Sequence, residues 1–135
     1  MTTIIALTGP AGCGKDLVSN IMTTQMLRRD PDVKLRSLSF ASPIKEAVSA
    51  ILGCRVEDFE DREFKEGSLL DSHDLDTSPR RMMQLLGDEF GRQLIDDQIW
   101  IKIAEQRLNT AEDQGVDFMF ITDLRYENEQ KWILE

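Results

Sequence analysis

Cationic side chains and cysteines are both scarce in this sequence. Lysine and arginine number 16 against 25 aspartates and glutamates, a net charge of −9. Such a surface grips a nucleic-acid polymer poorly, because a phosphate backbone is held by a basic face. A small phosphorylated ligand held by a few local arginines is not excluded. The two cysteines, Cys13 and Cys54, are too few for a disulfide scaffold, and no basic segment precedes the apolar start as it would in a secretion signal. Reduced thiols and a cytoplasmic location are therefore expected. The single histidine, His73, has no partner at metal-ligand spacing, so a zinc site is not expected, nor is a Ser-His-Asp or Cys-His nucleophile. There is no run of about 18 apolar residues to span a membrane. The 135 residues are expected to form a single domain, 1–135, large enough for a true core.

Glycine, by contrast, is concentrated where it matters. Gly9-Pro10-Ala11-Gly12-Cys13-Gly14-Lys15-Asp16 follows the apolar run Ile4-Ile5-Ala6-Leu7-Thr8 and precedes a helical pattern. Strand, glycine-rich turn and helix with Gly-x-x-x-x-Gly-Lys is the spacing of a phosphate-binding loop. Backbone N–H groups converge on an anion only where no side chain intervenes, and the helix that follows aims its positive end at the same place. The loop residues Gly9, Ala11, Gly12, Cys13 and Gly14 are expected to bind phosphate, with Cys13 chosen for its small size. Lys15 adds a charge that reaches the outer phosphates. Asp16 stands where Ser or Thr usually offers Mg²⁺ a hydroxyl; a carboxylate is also a good Mg²⁺ ligand.

The remaining pattern alternates strands and helices. Strands are expected at 3–8, 34–40 and 118–121, and helices at 15–28, 42–52, from Ser78-Pro79 onward, at 97–111 and from Glu127. In the first helix Leu17, Ile21, Met22 and Met26 are expected to face inward. Asp30-Pro31-Asp32 is a turn, Ser42 is an expected N-cap with Pro43 at N1, and Gly53 ends that helix. Residues 55–77 hold nine acidic residues, three basic ones and no clear period, which suggests a mobile or short-helix insert on the substrate side. The alternation predicts an α/β fold with a parallel sheet, and ligands in such sheets bind at the carboxyl ends of the strands. Asp123 follows the third strand there, where a phosphate-binding enzyme places a Mg²⁺ ligand, and Arg125 lies two residues on. Arg80, Arg81 and Arg92 sit on or beside one helix; the planar fork of arginine suits a phosphate clamp.

Taken together, Gly9–Asp16, Phe40–Glu46, Asp61–Glu66, Ser78–Arg92 and Ile121–Glu129 resemble the bacteriophage-type deoxynucleoside monophosphate kinases. In that family Gly-Lys-Asp is the usual end of the loop, although Thr often follows and here Leu17 does. The resemblance implies the three-layer P-loop kinase fold and transfer of the ATP γ-phosphate, with Mg²⁺, to a deoxynucleoside monophosphate. It implies catalytic roles for Lys15, Asp16, Asp123 and Arg125, and metal binding by Asp16 and Asp123. It implies that Lys45, Lys65, Arg80, Gln84, Arg92 and Arg125 face the acceptor. The partners are then small molecules in the host cytoplasm, with neither nucleic-acid polymer nor membrane. Such kinases continue past the third strand, so the fold is expected to be incomplete at the C-terminus, or its open edge covered by a partner chain such as a second copy. Weak or absent turnover of the chain alone is expected. A P-loop kinase for another phosphorylated acceptor, such as phosphomevalonate, and a nucleotide-binding module without turnover are the alternatives.

Overall fold

A computed structural model describes residues 1–135. By its internal contacts the chain divides into two compact units, residues 1–40 with 101–135, and residues 41–100.

The first unit is built on β1 (Thr3–Ala6), β2 (Leu35–Leu38) and β3 (Phe118–Ile121), in the order β1-β3-β2. Both pairings are parallel, with Ile4 and Arg36 opposite Met119. The expected α/β architecture is present. β3 is the middle strand, and its uninterrupted Phe-Met-Phe-Ile run fits a strand covered on both faces. Met119 and Ile121 point to one face and join Leu38, Phe40, Val116 and residues of helix α6 (Ile99–Asp113) in a core. Trp132 of helix α7 (Glu127–Leu134) packs on it, with its ring edge-on to Phe40 at 5.9 Å between centroids. β1 pairs only with β3 and forms an edge of the sheet.

Helix α1 (Lys15–Arg29) corrects the sequence-based inner face. Ser19, Met22, Thr23 and Met26 turn inward, whereas Leu17 is 64% and Ile21 52% exposed. The left-handed turn at Gly12 and Gly14 sets the phase at which the helix begins, so the first residues cannot rotate to bury the larger side chains. Small Ser19 is the residue that approaches the rest of the unit.

In the second unit helix α2 (Ser42–Leu52) begins one residue earlier than its composition suggests. Ala41 is the N-cap, Ser42 lies inside the helix, and no side chain caps it; Pro43 tolerates this because it brings no N–H to be satisfied. Gly53 ends the helix at φ 67°, as expected. Residues 55–77 form a short 3-10 helix, Val56–Glu60, and helices α3 (Arg62–Glu66) and α4 (Leu70–His73). They are not merely solvated surface: Phe59 and Leu69 are buried with Val48 and Leu52. His73 bonds Ser72 Oγ through Nδ1 and the Leu52 carbonyl through Nε2, each at 2.8 Å, and so ties α4 to the end of α2. Helix α5 (Pro79–Gln84) starts as read, with Ser78 Oγ accepting from the Arg81 N–H at 3.2 Å. It then runs into an 11-residue π-helix, Leu85–Ile95, that the sequence pattern did not foretell. Gly87 and Gly91 are buried in it, and the Trp100 indole N–H donates to the Gly87 carbonyl at 2.7 Å.

Candidate phosphate-binding site

The three strands end on one edge, and the first unit gathers its polar residues there. After β1 the chain turns through the left-handed region at Gly12 (φ 76°) and Gly14 (φ 95°), conformations that a side chain would strain. Gly14 is also the N-cap of α1, and no side chain occupies its orphan N–H groups. The Lys15 ammonium folds back over the loop and donates to the carbonyls of Gly9 at 2.7 Å and Pro10 at 3.0 Å. Two of its three N–H donors are thereby engaged, and the third faces a weaker acceptor, the Cys13 sulfur. Cys13 Sγ is 3.9 Å from the same nitrogen. A Cβ placed on Gly9 would lie 2.7 Å from that sulfur, so the thiol fills the inside of the loop. Asp16 is exposed in the first turn of α1, where a carboxylate suits the helix dipole.

Asp123 is half-buried and bridges two strand ends. One carboxylate oxygen accepts from Ser39 Oγ at 2.6 Å, the other from the Phe40 N–H at 3.2 Å. The residues after β2 and β3 are thus fastened together by a charge-assisted pair of bonds. Ser39 was missed by the sequence reading, because nothing in a strand pattern shows which hydroxyl will meet a carboxylate 84 residues away. Two residues beyond Asp123, Arg125 is exposed, and its N–H donates to Glu129 Oε2 at 2.8 Å.

The other expected binding residues belong to the second unit. Lys45 is in the first turn of α2, Lys65 near the end of α3, and both are half-buried. Gln84 ends α5 and is exposed; Arg92 is half-buried in the π-helix. Arg80 meets Glu66 at 2.8 Å, and the same carboxylate meets Arg62 at 3.2 Å. That acidic partner of a candidate phosphate-binding arginine was also not foreseen.

The Arg62 hydrogen bond and charge, and then the Arg80 charge, hold the Glu66 carboxyl below the ordinary glutamate value. The ionised form is therefore favoured in the folded chain. Its contribution is complete above the ordinary glutamate pKa and is lost as pH falls through the lowered folded value. Titration of the Glu66 carboxyl carbon by NMR should show a midpoint below that of an unpaired glutamate, and Arg62→Ala should move it back up. An unmoved midpoint in Arg62→Ala would contradict the assignment.

No protein-family model matches the chain. A search of characterised proteins does find a relative, the deoxynucleoside-5'-monophosphate kinase of Escherichia phage T5. It is 29% identical over 188 aligned positions that take in all of this chain and 73% of the T5 protein. The likeness is to the phage-type deoxynucleoside monophosphate kinases. It runs through both units rather than through the phosphate loop alone. The aligned span exceeds the 135 residues of this chain, so the T5 kinase carries additional residues between matched parts. No helix of this chain is long and apolar enough to cross a membrane.

Proposed function

We propose that this chain is a P-loop nucleotide kinase that moves the γ-phosphate of ATP to a deoxynucleoside 5'-monophosphate, its two units acting as one kinase domain. The observation that carries the reading is the loop Gly9–Lys15, held closed by its own lysine at the start of α1. The full-length likeness to the T5 kinase supports the acceptor class.

Phosphoryl transfer asks for position and neutralised charge more than for covalent chemistry. In this reading the backbone N–H groups of the loop from Gly9 to Asp16, Pro10 excepted, surround the ATP phosphates, Ala11 included; that of Cys13 must first leave the Pro10 carbonyl, to which it donates at 3.2 Å. Lys15 exchanges its weak contact with the Cys13 sulfur for the outer phosphate oxygens, where charge accumulates during transfer. Lys45, Lys65, Arg80, Gln84 and Arg92 bind the acceptor, and Arg125 faces the transferred group. Before Arg80 can take a phosphate it must exchange the Glu66 carboxylate for it. Both are exposed, so the pair is weak and the exchange carries little cost.

Asp16 and Asp123 are the residues that would hold Mg²⁺, and carboxylate oxygens are the ligands it takes. No three His, Cys, Asp or Glu side chains gather to hold a metal by themselves. This fits an ion that keeps waters and relies on substrate phosphates. When bound, Mg²⁺ supplies charge neutralisation across the phosphates. Ser39 and Phe40 hold the Asp123 carboxylate in place, which supports that role.

The test is phosphate transfer from ATP to each of the four deoxynucleoside monophosphates, followed by separation of the diphosphates. Transfer to one or more is expected, and none to phosphomevalonate. ATP bound without transfer to any nucleotide would overturn the reading.

A further inference from the structure

Glu129 has no part in the chemistry above, yet among all the acidic residues it is the one that is buried, at 2% exposure. A carboxylate persists in such a place only where its oxygens are met by donors. Glu129 Oε2 accepts from the N–H of Tyr126 at 3.0 Å and from the N–H of Arg125 at 2.8 Å. The bond to Tyr126 is helix capping: Glu129 is the third residue of α7 and reaches back to the N-cap. The bond to Arg125 is not required by the helix, because Arg125 lies before the cap.

That second bond fixes the main chain at the residue from which a guanidinium projects into solvent. On the other side of the same short loop, Asp123 is fastened to Ser39 and Phe40. Leu124, between them, packs on the core. Arg125 is therefore anchored from both directions while its side chain stays exposed. An arginine that must meet a phosphate in one geometry loses rate steeply when its backbone wanders, of the order of a hundredfold per ångström.

We propose that Glu129 is a positioning residue: its buried carboxylate fixes the main chain at Arg125 so that the guanidinium is presented to the phosphate being transferred. The inference rests on the role given to Arg125 above. The Arg125 and Tyr126 N–H groups share one oxygen, Oε2. Glutamine keeps such an oxygen, aspartate withdraws it by a methylene, and alanine removes it.

The experiment is a double-mutant cycle in single-turnover transfer from ATP to the best nucleotide acceptor. Glu129→Ala should slow transfer about tenfold or more, with little change in the acceptor KM. Glu129→Gln should restore most of that loss. In an Arg125→Ala background Glu129→Ala should cost nothing further, because the residue it serves is gone. Hydrogen exchange should show the Arg125 and Tyr126 amides protected in the parent and in Glu129→Gln, and exposed in Glu129→Ala. Should Glu129→Ala not fold, Glu129→Asp replaces it in the cycle with the same expected pattern. Additive losses in the double variant would overturn the inference, as would a Glu129→Gln as impaired as the alanine. An Arg125→Ala that transfers normally would remove the role of Arg125 itself, and the inference with it. An impaired Arg125→Ala with an additive cycle would remove the Glu129 inference alone.

Discussion

Lys15→Ala is expected to lower kcat for phosphate transfer by at least about a hundredfold, the usual loss when a charged donor to the transition state is removed. The side chain is bound to the Gly9 and Pro10 carbonyls and directs its third N–H toward the Cys13 sulfur, the weakest of the three acceptors. Alanine removes the charge and unties the loop together. Lys15→Arg should recover little: a planar fork cannot sit between two carbonyls as a three-donor ammonium does, and its charge lies farther out. The bonds that Lys15 makes are exposed, so stability should change by less than about 1 kcal/mol. Steady-state kinetics and thermal unfolding on the same samples separate the two effects. A kcat within threefold of the parent would place the reaction elsewhere in the molecule.

Gly91→Ala should strongly destabilise the second unit. A Cβ at that position would lie 2.6 Å from Trp100 Cζ2 and 3.0 Å from the Leu86 carbonyl oxygen. The carbonyl belongs to the backbone and cannot yield. The indole can move only by giving up its bond to the Gly87 carbonyl, 2.7 Å long. Overpacking together with one lost hydrogen bond should cost about 2–4 kcal/mol. The melting temperature should fall by about 10 °C. Calorimetry would measure both. Combining Gly91→Ala with Trp100→Ala should cost clearly less than the sum of the two, since the collision requires both partners. A melting temperature within 2 °C of the parent would mean that the indole swings aside freely.

Local signals in the chain were read well where the physics is local. The apolar runs at Ile4 and Phe118, the glycine turn between the first of them and α1, the Ser78 cap and the Gly53 stop all depend on residues within a turn or two of one another. The buried face of α1 was misread because its phase is inherited from the loop and not chosen by Leu17 and Ile21. The π-helix was missed because helical spacing at Leu85–Ile95 does not distinguish an i→i+4 from an i→i+5 register. That register is accompanied by the close approach of Trp100 to Gly91, which lies outside any periodicity. Glu129 carried a readable sign, its position three residues after the N-cap, but its second bond to Arg125 did not.

By itself the sequence determined the α/β alternation and the glycine turn between β1 and α1, because glycine placement and apolar periodicity act over short distances. Only the tertiary structure decided the strand order β1-β3-β2, the tie of Asp123 to Ser39 and Phe40, the pairing of Arg80 with Glu66, and the burial of Glu129 beneath Arg125. Each of these is a choice among many equivalent acids, hydroxyls and arginines. The choice falls to whichever partner the packing brings within about 3 Å.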